Sequence, residues 1–223
     1  MIVDRLYKHR FEIFLGTQIT ILFGSLFFPL DFYEFVLLPI LYLLSIAAGI
    51  LMISKRKKLT WFFIGLFVIA AFMFGSSMIS RNENMDNIFI RLTIYFVFHI
   101  IVTWNIIQQV WGASFVNKNV IMGLMSGYIS LGFLAFFLFM TIELLNPGSF
   151  TCTLLQSEDP LVRFDSILYY AYITLLTIGY GEIVPTTAVA QKAAILVGLV
   201  GQFYMVIITA VIVEKYIVHS KKL

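Results

Sequence analysis

The residues whose types and spacing could do chemistry lie at 174–182, in the order Thr-Leu-Leu-Thr-Ile-Gly-Tyr-Gly-Glu. That chemistry would belong to the main chain. Thr177-Ile178-Gly179-Tyr180-Gly181 can form an extended ladder of carbonyl oxygens that replaces the water shell of an ion. Aiming successive carbonyls at one axis requires a backbone that alternates in hand, and Gly179 and Gly181 supply positive φ at no steric cost. The Thr177 hydroxyl can add an oxygen at one end of the ladder, while Ile178 and Tyr180 would point away from the axis and wedge it open. One chain builds one wall, so further copies are needed to enclose an axis. The competing reading is a chance glycine-rich turn. A phosphate loop is excluded, because Val184 stands where GxGxxG needs its third glycine. An apolar helix-length run before the turn and a polar exit after it favour the ladder.

Long apolar runs must position these residues. The chain has 223 residues, 61% hydrophobic and only 12% charged, against about 25% charged in a soluble domain. The composition is that of an integral membrane protein, with the lipid bilayer as its first partner. A pI near 8.9 suggests an anionic partner, but the basic residues collect in short loops beside apolar runs. That is a topology signal and no argument for nucleic acid. The single cysteine, Cys152, excludes an intramolecular disulfide framework and a cysteine-rich metal site. His9, His99 and His219 are scattered, and no nucleophile–base pairing stands out. No enzyme activity and no cofactor are expected, only a transported ion.

Six runs have the length a bilayer crossing needs, about twenty residues each: residues 11–30, 35–53, 61–79, 88 to about 107, 120–145 and 189–213. The first is too long for a signal-peptide core and lacks a small-residue cleavage site, so a retained span is expected. Residues 108–119 read as a polar linker holding Lys118. With the amino terminus inside, the inner segments hold Arg5, Lys8, Arg10, Lys55, Arg56, Lys57, Lys58, Lys118, Lys215, Lys221 and Lys222. The outer loops carry most of the acids. Six spans with both termini cytoplasmic satisfies this bias everywhere and puts the glycine-rich turn at the outer face of a multi-pass protein of the cell membrane. Tyr33, Trp61, Trp104 and Trp111 fit an interfacial aromatic belt.

The 174–182 stretch resembles the selectivity filter of the potassium-channel superfamily, whose usual pattern is T-x-T-T-V-G-Y-G-D. Six spans with a loop between the fifth and sixth resemble the voltage-gated-like, tetrameric cation channels. Gly201-Gln202-Phe203-Tyr204 resembles the inner helix of the prokaryotic six-transmembrane members. The resemblance implies an all-α membrane fold of six transmembrane helices, with a re-entrant pore helix and filter between helices five and six, assembled as a homotetramer. Residues 1–111 would form a four-helix sensor-like domain, 112–119 a linker and 120–223 the pore domain. K+ would bind at Thr177, Ile178, Gly179 and Tyr180, with Gly181 closing the filter.

Span four of such channels repeats Arg or Lys at every third position. Here it offers Arg91 and then His99. Three or four charges in each of four subunits would gain about 28–37 kcal/mol per 100 mV, whereas one Arg each gives at most about 9. Arg91 lies within a turn of the outer end, where it snorkels to the interface. The residues therefore predict weak voltage dependence, with Arg91 an anchor and His99 a satisfied imidazole. Weak voltage or pH sensing is the alternative for both.

Residues 146–164 read as a polar outer turret with Pro147, Gly148, Glu158 and Asp159, whose acids would raise the local cation concentration. Cys152 in this loop is expected as a free thiol. Glu143 could pair within the loop or brace the pore. Asp165-Ser166 reads as the N-cap of a short helix over residues 167–176, too short to span and suited to re-entry. Its C-terminus would place partial negative charge beneath the filter. Tyr169, Tyr170 and Tyr172 would form an aromatic cuff, with Thr174 and Glu182 supporting the filter. Leu176 stands where the family has Thr, Ile173 where some bacterial members have a buried Glu, and Glu182 replaces Asp. None removes a carbonyl, so potassium selectivity is expected to survive.

Span six has no charge between Lys192 and Glu214, about 32 Å of helix at 1.5 Å per residue. Gly198 and Gly201 are either a gating hinge or sites of close helix packing, and the inner mouth would fall near Val211 and Glu214. A tail ending at Leu223 leads us to expect no large cytosolic regulatory domain in this chain. The expected function is a potassium-selective channel conducting passively and not strongly voltage-gated. Its rivals are a weakly selective cation channel of the same fold and a non-conducting scaffold or regulatory subunit.

Overall fold

The computed structural model describes residues 7, 9–29, 32–53, 57–79, 85–113, 116–151 and 160–220. Cys152, Glu158 and Asp159 lie outside them, as do Arg5, Lys8, Lys55, Arg56, Lys221 and Lys222. The chain divides into two compact units, Met1–Gly127 and Tyr128–Leu223.

The first unit is built from α1 (Arg10–Phe23), α2 (Leu38–Ile53), α3 (Lys57–Ile79), α4 (Met85–Trp111) and the start of α5 (Lys118–Leu145). Helix α2 packs against α1, α3 and α4, and α3 against α4. Phe98 lies at the centre of the apolar core, fully buried, with its ring 6.4 Å from Phe14 and 5.5 Å from Phe63. Gly49 admits it: a Cβ there would come within 2.5 Å of the Phe98 ring. His99 is buried beside the same ring at 5.0 Å.

Polar residues close one end of this unit. Gln109 accepts from Arg10 Nη2 at 3.1 Å and donates to the Met52 carbonyl at 3.2 Å. Glu12 meets Lys118 Nζ at 2.8 Å and His9 Nδ1 at 2.9 Å. Asn117 caps α5, its Oδ1 accepting from the Val120 N–H at 3.0 Å.

Several expected boundaries move, α3 for example taking in Lys57 ahead of the expected residue 61. Helix α1 stops at Phe23 and passes into a tight turn over Gly24–Leu26, short of residue 30. Tyr33 packs into this turn: its hydroxyl donates to the Ile21 carbonyl, which a continuing helix would need, and its ring lies against Gly24. Tyr33 is therefore buried, whereas Trp61, Trp104 and Trp111 are exposed. Span two begins with a π-helical turn, Tyr33–Leu37. Helix α4 runs to Trp111, so residues 108–111 are helical, the polar Gln109 being held by Arg10 and Met52.

The second unit holds the rest of α5, β1 (Phe150–Thr151), α6 (Pro160–Leu175), β2 (Val184–Pro185) and α7 (Ala188–Ser220). The strands pair antiparallel, Phe150 with Pro185 and Thr151 with Val184. Asp165 and Ser166 are not an N-cap. They lie inside α6, which starts at Pro160, because proline's fixed φ suits a first helical turn where its missing N–H is not needed. Thr187 caps α7, its hydroxyl accepting from the Ala190 N–H at 3.3 Å. Among the described residues three helices are long and apolar enough to cross a membrane, over Phe89–Trp111, Lys118–Leu145 and Ala188–Lys215.

Candidate ion-conducting site

The site begins where α6 ends. A helix leaves its last carbonyls without partners, and here each of the last four finds one. Leu176 N–H donates to Tyr172 O at 2.9 Å, and Thr177 N–H to Thr174 O at 3.0 Å. Ile178 N–H donates to Ile173 O at 2.8 Å, and the Tyr128 hydroxyl to Leu175 O at 3.4 Å. The pair made by Thr177 and Ile178 is a left-handed helix cap, whose turning position is usually glycine. Thr177 occupies that position with φ +58°. A β-branched residue there costs on the order of 1–3 kcal/mol unless its surroundings hold it.

From this cap the chain alternates. Thr177, Gly179 and Gly181 have φ of +58°, +56° and +96°, and Ile178 and Tyr180 between them do not share the positive sign. This is the change of hand that a carbonyl ladder needs. The glycine spacing predicts two of the three positions; Thr177 is the one it does not reveal. The run from Thr177 to Glu182 is exposed in the single chain, Ile178 at 47% and Tyr180 at 73%.

Of the three tyrosines, Tyr169 reaches the exit of the turn, where its hydroxyl donates to the Glu182 carboxylate. Tyr170 and Tyr172 face α5. Tyr170 packs its ring 5.0 Å from Phe139 and 5.2 Å from Phe150, and its hydroxyl shares a hydrogen bond with Thr174. Tyr172 donates to the Ile129 carbonyl at 2.7 Å, with its ring over Gly132. A Cβ on Gly132 would come within 2.2 Å of that ring, so the glycine is what seats α6 against α5.

Glu143 braces the outer loop. It is buried, and its Oε1 accepts from the Gly148 N–H at 2.9 Å while its Oε2 accepts from the Phe150 N–H at 3.1 Å. Arg163 Nη2 lies 3.7 Å from Oε1. The exit from the turn is tied to the same loop: Thr186 N–H donates to Ser149 O at 2.9 Å, and the Thr186 hydroxyl to Gly148 O at 2.6 Å. One carboxylate and one two-residue strand pair thus fix where the alternating turn leaves.

Helix α7 approaches α6 through glycine. A Cβ on Gly201 would sit 2.3 Å from the Leu175 carbonyl oxygen, whereas one on Gly198 would meet nothing nearer than Thr174 O at 3.9 Å. The contact reading therefore fits Gly201, and Gly198 carries no such constraint. Next to Gly201, Gln202 Nε2 donates to the Thr177 hydroxyl at 3.0 Å. Sequence reasoning missed Gln202; the signal was the one amide within the uncharged stretch 193–213 of α7. Val211 and Glu214 lie in the last third of α7, half-buried and exposed.

Residues 140–217 match the family model described as ion channel. No curated protein and no solved structure matches the chain. The matched segment takes in the end of α5, the capped helix α6, the alternating turn and most of α7. Containing one helix able to cross a membrane and the end of another, this part of the chain is similar to an ion-channel domain.

Proposed function

We propose that four copies of this chain form a potassium-selective pore that conducts passively down the electrochemical gradient. The observation that carries the reading is the alternation of positive φ at Thr177, Gly179 and Gly181 directly after a capped, apolar helix. Four such runs around one axis place carbonyls of Thr177, Ile178, Gly179 and Tyr180 where a bare cation needs oxygen. Exposure of the whole run in a single chain supports assembly, since a ladder facing a shared axis has no partner within its own subunit.

In this reading the chain crosses the membrane six times with both termini in the cytoplasm, α6 re-enters from outside, and α7 lines the inner passage. Gating is not strongly voltage-dependent, because span four carries Arg91 and no arginine repeat.

Purified protein in liposomes tests this through potassium, rubidium and sodium flux, with barium as blocker. Potassium and rubidium flux blocked by barium, with sodium excluded, is the expected result. Sodium flux equal to potassium would leave a weakly selective cation channel of the same fold. A tetramer without flux would make it a scaffold or regulatory subunit, and a monomer in the bilayer would overturn the arrangement.

A further inference from the structure

We propose that Gln202 is a positioning residue for the innermost cation site, acting through the Thr177 hydroxyl. The inference rests on the pore reading above and deepens it.

Three observations converge on Thr177. Its backbone sits at φ +58°, in the left-handed region, where a β-branched side chain is a genuine outlier. Its N–H is committed to the Thr174 carbonyl as part of the helix cap, so the backbone cannot relax without uncapping α6. Its hydroxyl, 3.0 Å from Gln202 Nε2, is held from another helix. Gly201 makes the last contact possible: with no Cβ, it lets α7 come up against the Leu175 carbonyl and brings the next side chain within reach of the turn.

The chemistry follows from the hydroxyl's inventory of one proton and two lone pairs. The Gln202 amide proton occupies one lone pair. That selects one side-chain rotamer and leaves the second lone pair for a dehydrated cation. Without the amide the hydroxyl is free to rotate, and the oxygen nearest the inner end of the ladder loses its fixed direction. Gln202 touches no ion itself; it orients the atom that does.

The test uses the full chain in liposomes, with barium, a divalent ion of potassium's size, as the probe. Gln202→Leu removes the donor, and Gln202→Asn keeps an amide too short to reach, should the leucine variant not assemble. Either variant is expected to weaken barium block about tenfold, the net worth of one hydrogen bond, while the tetramer elutes normally. In a Thr177→Val background, which lacks the acceptor, adding Gln202→Leu is expected to weaken block no further. A purely structural role would instead add in both backgrounds. Wild-type block in Gln202→Leu, or full additivity with Thr177→Val, overturns the inference while leaving the pore reading intact. Absence of potassium flux in the unmodified protein removes the pore reading and this inference with it.

Discussion

The two units are held together in different ways. In the first, side chains do the holding: Phe14, Phe63 and Phe98 fill the space between helices, and Gly49 makes room for them. The second has rings of its own, Phe139 with Phe150 and Tyr170, but around the 177–182 run its side chains also reach for main-chain atoms. Tyr172 finds Ile129 O, Glu143 the Gly148 and Phe150 N–H groups, and the Tyr128 hydroxyl the Leu175 carbonyl. A core of rings fixes volume and tolerates small shifts. Hydrogen bonds to named backbone atoms fix direction, which a ladder of carbonyls requires. Damage to the first unit should therefore be read in stability, and damage to the second in conduction.

The sharpest way to break this contrast is Gly179→Ala. Its φ of +56° strains any side chain although the space around it is open, so on the proposed pore reading the expected outcome is loss of selective potassium flux with the tetramer retained. Wild-type selectivity in liposomes would show that backbone direction is not what matters. Phe98→Ala should do the reverse. It is expected to cost about 3–5 kcal/mol of stability, read as a lower melting temperature in detergent, with the potassium-to-sodium ratio unchanged.

Gly201→Ala and Gly198→Ala sharpen the comparison within α7. The first drives a methyl into the Leu175 carbonyl and is expected to cost about 1–3 kcal/mol as overpacking, together with reduced flux. The second is expected to change the melting temperature little, and a large loss of conductance there would mark a hinge instead. The smallest effect is expected at Arg91→Gln, whose conductance–voltage curve should overlay the parent's; a marked shift would mean that the first unit carries charge through the field after all.

What was legible in the sequence follows the same division. Gly179 and Gly181 announce positive φ because only glycine reaches it freely. Thr177 hides it, because threonine belongs to extended backbone unless a cap and a partner hold it otherwise. Asp165-Ser166 has the residue types of an N-cap, but Pro160 upstream had already set the helix going. The partners of Glu143 could not be read because they are amide hydrogens, which every residue but proline carries. Tyr33 looked like a belt aromatic and instead closes α1, since sequence shows a ring without showing which carbonyl its hydroxyl meets. Gly198 and Gly201 look alike until a neighbouring backbone is beside one of them.

The closed carbonyls at the end of α6 have one more consequence. A helix terminus attracts a cation through oxygens that lack donors, and here the chain's own N–H and hydroxyl groups already cover them. In the proposed pore, an approaching ion would meet carbonyls that each already accept a hydrogen bond, and the pull of the helix on it would be weakened. Affinity would then come from the number and spacing of oxygens in the ladder, and discrimination between ions of equal charge would not be blurred by a strong field that favours them all alike.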